Sequence, residues 1–265
     1  MEFIEVSRGQ SPIVMCFPHT GIDVPEELWA NLNENGQRLA DTDWNIHRLY
    51  RDLLPDSTTV KTSVHRYVID VNRDPTGVSL YPGQNTTTLC PVTDFNGNTI
   101  WSDHYVLDAI EIERRIEKYH APYHLALKQE LERIRSIHGY VILYDCHSIR
   151  SRVPFLFDGV LADFNIGTND GYSCHASITN AILEVCTAAQ DYITVLNGRF
   201  KGGWTTRNYG KPRQNIHAVQ MELAQSTYML EFEPWEYQIG RAEKTRQHLS
   251  TILATLASLK MAKNC

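Results

Sequence analysis

Two histidines, an Asn-Arg pair and a glutamate stand at or near the carboxyl ends of apolar runs, a residue set suited to metal-assisted hydrolysis. Tyr140-Val-Ile-Leu-Tyr144 leads into Asp145-Cys146-His147-Ser148. Ile13-Val-Met-Cys-Phe17 leads into Pro18-His19-Thr20-Gly21. Tyr67-Val-Ile69 leads into Asp70-Val71-Asn72-Arg73, and Val219-Gln-Met-Glu-Leu223 carries Glu222 near its end. Runs rich in β-branched and aromatic residues read as buried strands. Open α/β sheets bind ligands just beyond the carboxyl ends of such strands.

Each residue has a chemical rationale. His147 shares a strand face with Asp145, and a metal-bound imidazole commonly keeps a carboxylate on its second nitrogen. His19 lies between Pro18, which ends a strand, and Gly21, which permits an open turn. The third ligand of a zinc site is sought among nearby acids. Asp43 is the candidate and Asp41 the alternative, both near the start of an expected helix. His47, four residues after Asp43, could bind metal itself or orient Asp43. His120 and His124 have the same spacing, but position 121 is Ala and Pro122 distorts the turn, so they read as surface or structural histidines. Glu222 shares a face with Ala218, Gln220 and Ala224, which suits a general base approaching a water. The thiol of Cys146 points away from His147 and reads as a small hydrophobe. Arg66, Arg73, Arg150, Arg152, Arg199 and Arg207 fall in strand-end or Gly-rich segments. Such guanidinium groups suit a substrate carrying one or two carboxylates. The chain has no Gly-x-Ser-x-Gly elbow, phosphate-cradling P-loop or dinucleotide fingerprint.

A scaffold must bring these distant segments to one sheet edge. The patterns predict strands at 13–17, 58–62, 66–71, 140–144, 192–196, 217–223 and 227–232. They predict helices at 25–32, 41–54, 103–138, 180–189 and 241–261, with Pro122 kinking or splitting the longest. Long loops are expected at 74–98, suited to a lid, and at 197–213. Interleaved strands and helices indicate a three-layer α/β/α sandwich with a mixed, largely parallel central sheet. At 265 residues, one domain spanning 1–265 is expected. A net charge of −6 leaves no basic surplus for nucleic acid or an anionic membrane, so an acidic small-molecule substrate would have to be held by local arginines. No run approaches the ~18 apolar residues of a membrane span. Met1-Glu-Phe-Ile-Glu-Val lacks a basic n-region and a long apolar h-region, so a cytoplasmic location is expected. The six cysteines are scattered without a Cys-x-x-Cys pair and do not read as a disulfide framework.

Seven segments, taken in order, resemble the N-formylglutamate amidohydrolase family over nearly the whole chain. They are Phe17-Pro-His-Thr-Gly21, Ala40-Asp-Thr-Asp-Trp44, Asp70-Val-Asn-Arg73, Ser79-Leu-Tyr-Pro-Gly-Gln84, Asp145-Cys-His-Ser-Ile-Arg-Ser-Arg152, Asn197-Gly-Arg-Phe-Lys-Gly-Gly203 and Gln220-Met-Glu-Leu-Ala-Gln225. More distantly, the plan looks like that of zinc carboxypeptidases and aspartoacylase-type deacylases. The wider family's His-x-x-Glu is absent, because position 22 is Ile. The resemblance implies a zinc-exopeptidase-like fold, with Zn2+ or another divalent metal on His19, Asp43 and His147. It implies Glu222 as base; in the mechanism expected from this set, Arg73 acts with the metal on the oxyanion. The implied reaction is hydrolysis of N-formyl-L-glutamate to formate and L-glutamate, the last step of a histidine degradation route. Asn72 and some of Arg66, Arg150, Arg152, Arg199 and Arg207 would then hold the substrate carboxylates. Two other readings are a related zinc deacylase or carboxypeptidase-like hydrolase on another N-acyl amino acid, and a non-catalytic binder of acidic metabolites.

Overall fold

The computed structural model describes residues 3–80 and 83–261. Met1 and Glu2, Tyr81 and Pro82 of the 79–84 motif, and Cys265 lie outside the described residues. Seven strands form one sheet: β1 (Ile4–Ser7), β2 (Ile13–Phe17), β3 (Thr58–Thr62), β4 (Val141–Ile149), β5 (Phe164–Gly167), β6 (Thr194–Leu196) and β7 (Ile216–Ala224). Their order is β1-β3-β2-β4-β7-β5-β6. The inner strands β3, β2, β4 and β7 run parallel, while β1 and β5 join antiparallel. The sheet is therefore mixed, with a parallel centre, as the alternating pattern predicts.

The helices are α1 (Glu26–Trp29), α2 (Glu34–Gln37), α3 (Ile46–Tyr50), α4 (Ala109–Arg115), α5 (Ala121–His138), α6 (Ala176–Ala188), α7 (Trp204–Tyr209) and α8 (Ile239–Ser258). One sheet face, with Val14, Cys16, Val141, Leu143 and Ala218, packs on Tyr123, Leu127, Leu131 and Ile134 of α5. The other, with Ile13, Met15, Ile142, Tyr144 and Val219, packs on α3, α6 and α8. These are the three layers of an α/β/α sandwich.

Strand alternation positions the site. Val141 and Leu143 of β4 face α5, and the period of two carries Asp145 and His147 onto that face. On β7, Ala218 is followed on the same face by Gln220 and Glu222. The parallel register sets Gln220 beside Asp145 and Glu222 beside His147. Apolar core thus gives way to a polar cavity toward the carboxyl ends of two neighbouring strands.

Several elements differ from expectation, each for a local reason. β4 does not stop at Tyr144, because it stays paired with β7 through Ile149↔Ala224. On its other edge β2 stops pairing at Cys16↔Asp145, just before Pro18. The Ser148 N–H then donates to Asp43 Oδ2 at 3.0 Å. Residues 66–71 form turns rather than a strand, and consecutive Tyr67, Val68 and Ile69 are all buried in one core cluster. Segment 227–232 makes only the bridge Met229↔Tyr237, because Glu231 reaches back to the Ser226 and Ser151 N–H groups. The expected helix at 41–54 is confined to α3, since Asn45 takes a left-handed conformation. The long helix starts later, with Asp108 accepting from the Glu111 N–H. A π turn, Ile116–His120, links α4 to α5 directly before Pro122 and absorbs the proline without splitting the helix. The loop expected at 197–213 contains α7.

Candidate active site

His19, Asp43 and His147 are buried and offer three ligand atoms within 4.8 Å of one another. His19 comes from the turn after β2, Asp43 from the stretch before α3, and His147 from β4. The two Nδ1 atoms lie 3.1 Å apart, and Asp43 Oδ2 stands 3.9 Å from His19 Nδ1 and 3.4 Å from His147 Nδ1. Donors on a tetrahedral zinc with bonds of about 2.0–2.2 Å stand roughly 3.3–3.5 Å apart; the three separations here, 3.1, 3.4 and 3.9 Å, bracket that range, so small side-chain shifts bring this donor set onto a divalent cation.

The outer nitrogens are both engaged. His19 Nε2 lies 2.6 Å from Asp70 Oδ1, and His147 Nε2 lies 2.9 Å from Asp145 Oδ1. A proton on each Nε2 turns each Nδ1 lone pair inward. Asp145 also accepts from the Cys16 thiol at 3.0 Å and from the Thr206 hydroxyl at 3.1 Å. Arg66 Nη2 lies 2.8 Å from the His19 ring nitrogens and donates to Asp70 Oδ2 at 3.1 Å. Burial, with Arg66 beside it, pushes His19 down to about 4, against the pull of Asp70. Burial also opposes charge on His147, but Asp145, Asp43 and Glu222 carry it well above its ordinary value.

Glu222 is buried on the same wall. The Gly203 N–H donates to Gln220 Oε1 at 2.7 Å, which fixes the amide orientation, and Gln220 Nε2 then donates to Glu222 Oε2 at 3.0 Å. Gly203 sits here because a Cβ would come within 2.4 Å of the Asn72 amide. Burial pushes Glu222 up to about 8; the His147 and Arg66 charges oppose this, and Asp43 and Asp145 add to it.

Asn72, Arg66, Arg73 and Arg199 line the same cavity, and Asn85, Thr86, Thr87 and Phe95 bring segment 74–98 into its wall. Arg73 is held by the Thr87 carbonyl and hydroxyl at 3.0 and 3.1 Å. Arg199 donates to Leu156 O at 3.0 Å and Asn85 O at 3.1 Å, tying two wall segments together. The Phe95 ring covers the Arg66 guanidinium.

Three expected substrate-binding arginines do not line this cavity. Arg150 reaches Asn96 at 3.3 Å and Asp41 at 3.6 Å. Arg152 is exposed, and Arg207 donates to Gly202 O at 2.9 Å. Asp41 lies outside the triad, because its carboxylate accepts from the Tyr67 hydroxyl at 2.9 Å and the Phe95 N–H at 2.7 Å. His47 turns away to Thr20 Oγ1 at 2.5 Å and borders a separate cleft. Two contributors escaped the sequence reading: Asp70 as the partner of His19, and Gln220 as the partner of Glu222. Asp70 stands in a quoted motif, and Gln220 shares Glu222's face, so both signals were present.

A family model described as N-formylglutamate amidohydrolase matches residues 11–229. The chain is 43% identical over 257 residues to N-formylglutamate deformylase of Pseudomonas aeruginosa, covering 96% of each protein. It is 43% identical over 252 residues to N-formylglutamate deformylase of Pseudomonas putida, covering 94% of this chain and 93% of that one. Among solved structures, an N-formylglutamate amidohydrolase from Ralstonia eutropha JMP134 superposes with a TM-score of 0.80 at 22% identity, covering 97% of this chain and 98% of that one. That likeness shows a shared fold.

Proposed function

The chain belongs to the N-formylglutamate amidohydrolase family, and we propose that it hydrolyses N-formyl-L-glutamate to formate and L-glutamate using a divalent metal, zinc by its donor chemistry. The observation that carries this reading is the meeting of His19, Asp43 and His147 with Glu222 one strand away, in a cavity lined by three arginines. A divalent cation held by the triad supplies Lewis acidity to the formyl carbonyl and to the attacking water. Asp70 and Asp145 hold the imidazoles in the tautomer that faces Asp43. Glu222 takes the water's proton and delivers it to the amine nitrogen as the C–N bond breaks. Positive charge at the triad favours the carboxylate form of Glu222 that this step needs, against the effect of burial. Arg73 contributes donors toward the negative charge that develops on the formyl oxygen. Asn72, Arg66 and Arg199 hold the glutamate carboxylates. Arg66 and Asn72, which lie against His19 and His147, also exclude water from that side of the triad.

The test is release of formate and glutamate from N-formyl-L-glutamate before chelation, after it, and with zinc restored. Activity that disappears on chelation and returns with zinc is the expected result. Turnover indifferent to complete metal removal would overturn the metal reading. A panel of N-formyl, N-acetyl and N-succinyl amino acids tests the substrate, and a preference for an acyl group other than formyl would overturn that part.

A further inference from the structure

His120 and His124 take no part in the reaction described above, yet both are buried beside its machinery. His120 ends the π turn and His124 lies in the first turn of α5. Their rings lie 4.5 Å apart, and both pack on Trp204 of α7, at 5.4 and 4.6 Å. His120 Nε2 lies 3.0 Å from Arg73 O, and His124 Nε2 lies 2.7 Å from Val71 O. A carbonyl only accepts, so both Nε2 atoms carry the proton. His124 Nδ1 is then a bare acceptor facing the Tyr209 hydroxyl at 3.0 Å. The two carbonyls so held flank Asn72. Asn72 Oδ1 in turn accepts from the Thr205 N–H at 2.9 Å, and its Nδ2 lies 3.1 Å from His147 Nε2.

We propose that His120 and His124 are positioning residues that clamp the carbonyls on either side of Asn72, so that Asn72 and Arg73 face the cavity. The backbone chemistry calls for such a device. Residues 66–73 form turns rather than a strand, so no neighbouring strand meets their carbonyls. Buried carbonyls need donors. Side chains chosen only to fill space would be apolar, whereas here both imidazoles donate along one short stretch. The clamp joins α5, the Asp70–Arg73 turn and α7 into one wall, so an α5 histidine would act on the site through Asn72 without touching the triad.

The activity readout rests on the proposed hydrolysis of N-formyl-L-glutamate. The variants are His120→Phe and His124→Phe, which keep a ring without the donor, and His120→Gln and His124→Gln, which keep an N–H. The expected loss in kcat/KM for each Phe variant is between about ten- and a hundredfold. Each Gln variant recovers to within roughly threefold of wild type, with bound metal unchanged. In an Asn72→Ala background, His124→Phe costs less than about threefold more, because both changes disable one path. Wild-type kcat/KM in the Phe variants would overturn the proposal. So would a loss that Gln does not restore and that simply multiplies with Asn72→Ala, since that describes packing alone. If the wild-type protein does not hydrolyse N-formyl-L-glutamate, the functional reading fails, and amide hydrogen exchange at residues 70–73 decides the clamp by itself. Faster exchange there in both Phe variants, with the rest of the sheet unchanged, supports it; unchanged exchange overturns it.

Discussion

The role proposed for Glu222 rests on its neighbours. Its register partner on β4 is His147, and its carboxylate receives the Gln220 amide on Oε2. One oxygen is thereby fixed, which leaves the other for the proton that the proposed reaction moves. Glu222→Gln keeps the shape of the side chain and removes its proton affinity. The expected outcome is a kcat lower by about 10²–10⁴-fold, with metal content and substrate affinity near wild type. Turnover close to wild type in that variant would remove Glu222 as the base. The same residues show what a sequence can reveal. Period-two alternation sets His147 with Asp145 and Glu222 with Gln220, and a strand-end turn projects His19. Asp43 could not be separated from Asp41 by pattern, because the choice depends on which carboxylate meets the Ser148 N–H left by β2. The arginines were over-read for a related reason. A loop position says that a guanidinium is near the site, but its direction is set by partners far along the chain, such as Asn96 for Arg150.

At the scale of elements, β2 and the first half of β4 were legible because buried central strands are continuous apolar runs, whereas β3 was legible through the β-branched Thr58-Thr59-Val60 and its alternating burial. The short strands β1 and β5 were not, since β1 is an exposed edge and β5 is only four residues long. The 66–71 segment misled because its apolar run is buried without being extended. Part of what holds that segment comes from the long helix. Arg115 is fully buried, donates to Val68 O at 2.8 Å, bonds the Tyr105 hydroxyl and takes its counter-charge from Glu111 at 2.7 Å. Glu111→Gln leaves that guanidinium without a carboxylate, an expected cost of about 3 kcal/mol by urea unfolding at pH 7. Hydrogen bonding from Arg114, then Arg115, holds the Glu111 carboxyl at about 2, below its ordinary 4.5, although partial burial pulls the other way. A carboxyl lowered on folding stabilises fully above its unfolded value and loses that contribution as pH falls through its folded value. The gap between wild type and Glu111→Gln is therefore constant above about pH 5 and closes between pH 4.5 and 2. Equal stability at pH 7 would show that Arg115 needs no charge partner.

Across the whole molecule, the triad joins three parts of the chain that meet only when it folds: the turn after β2, the approach to α3, and β4. His19 and His147 are separated by 128 positions in sequence, so the donor set does not exist in the unfolded chain. A cation that binds only the folded form stabilises it by mass action, by about 4 kcal/mol at a free concentration a thousandfold above Kd. For a chain of this size that corresponds to a rise in Tm on the order of 10 °C. The increment should grow with the logarithm of free zinc and vanish with excess chelator. It should also be absent in His19→Ala, which lacks one donor. The control separates the triad from adventitious binding: a surface histidine such as His104 can be replaced without touching the increment, because it offers no preorganised set. If zinc raises Tm equally in wild type and in His19→Ala, the ion acts elsewhere. If it raises Tm in neither, the three donors are held together by Asp70, Asp145 and Arg66 alone, and the metal-dependent chemistry loses its structural basis.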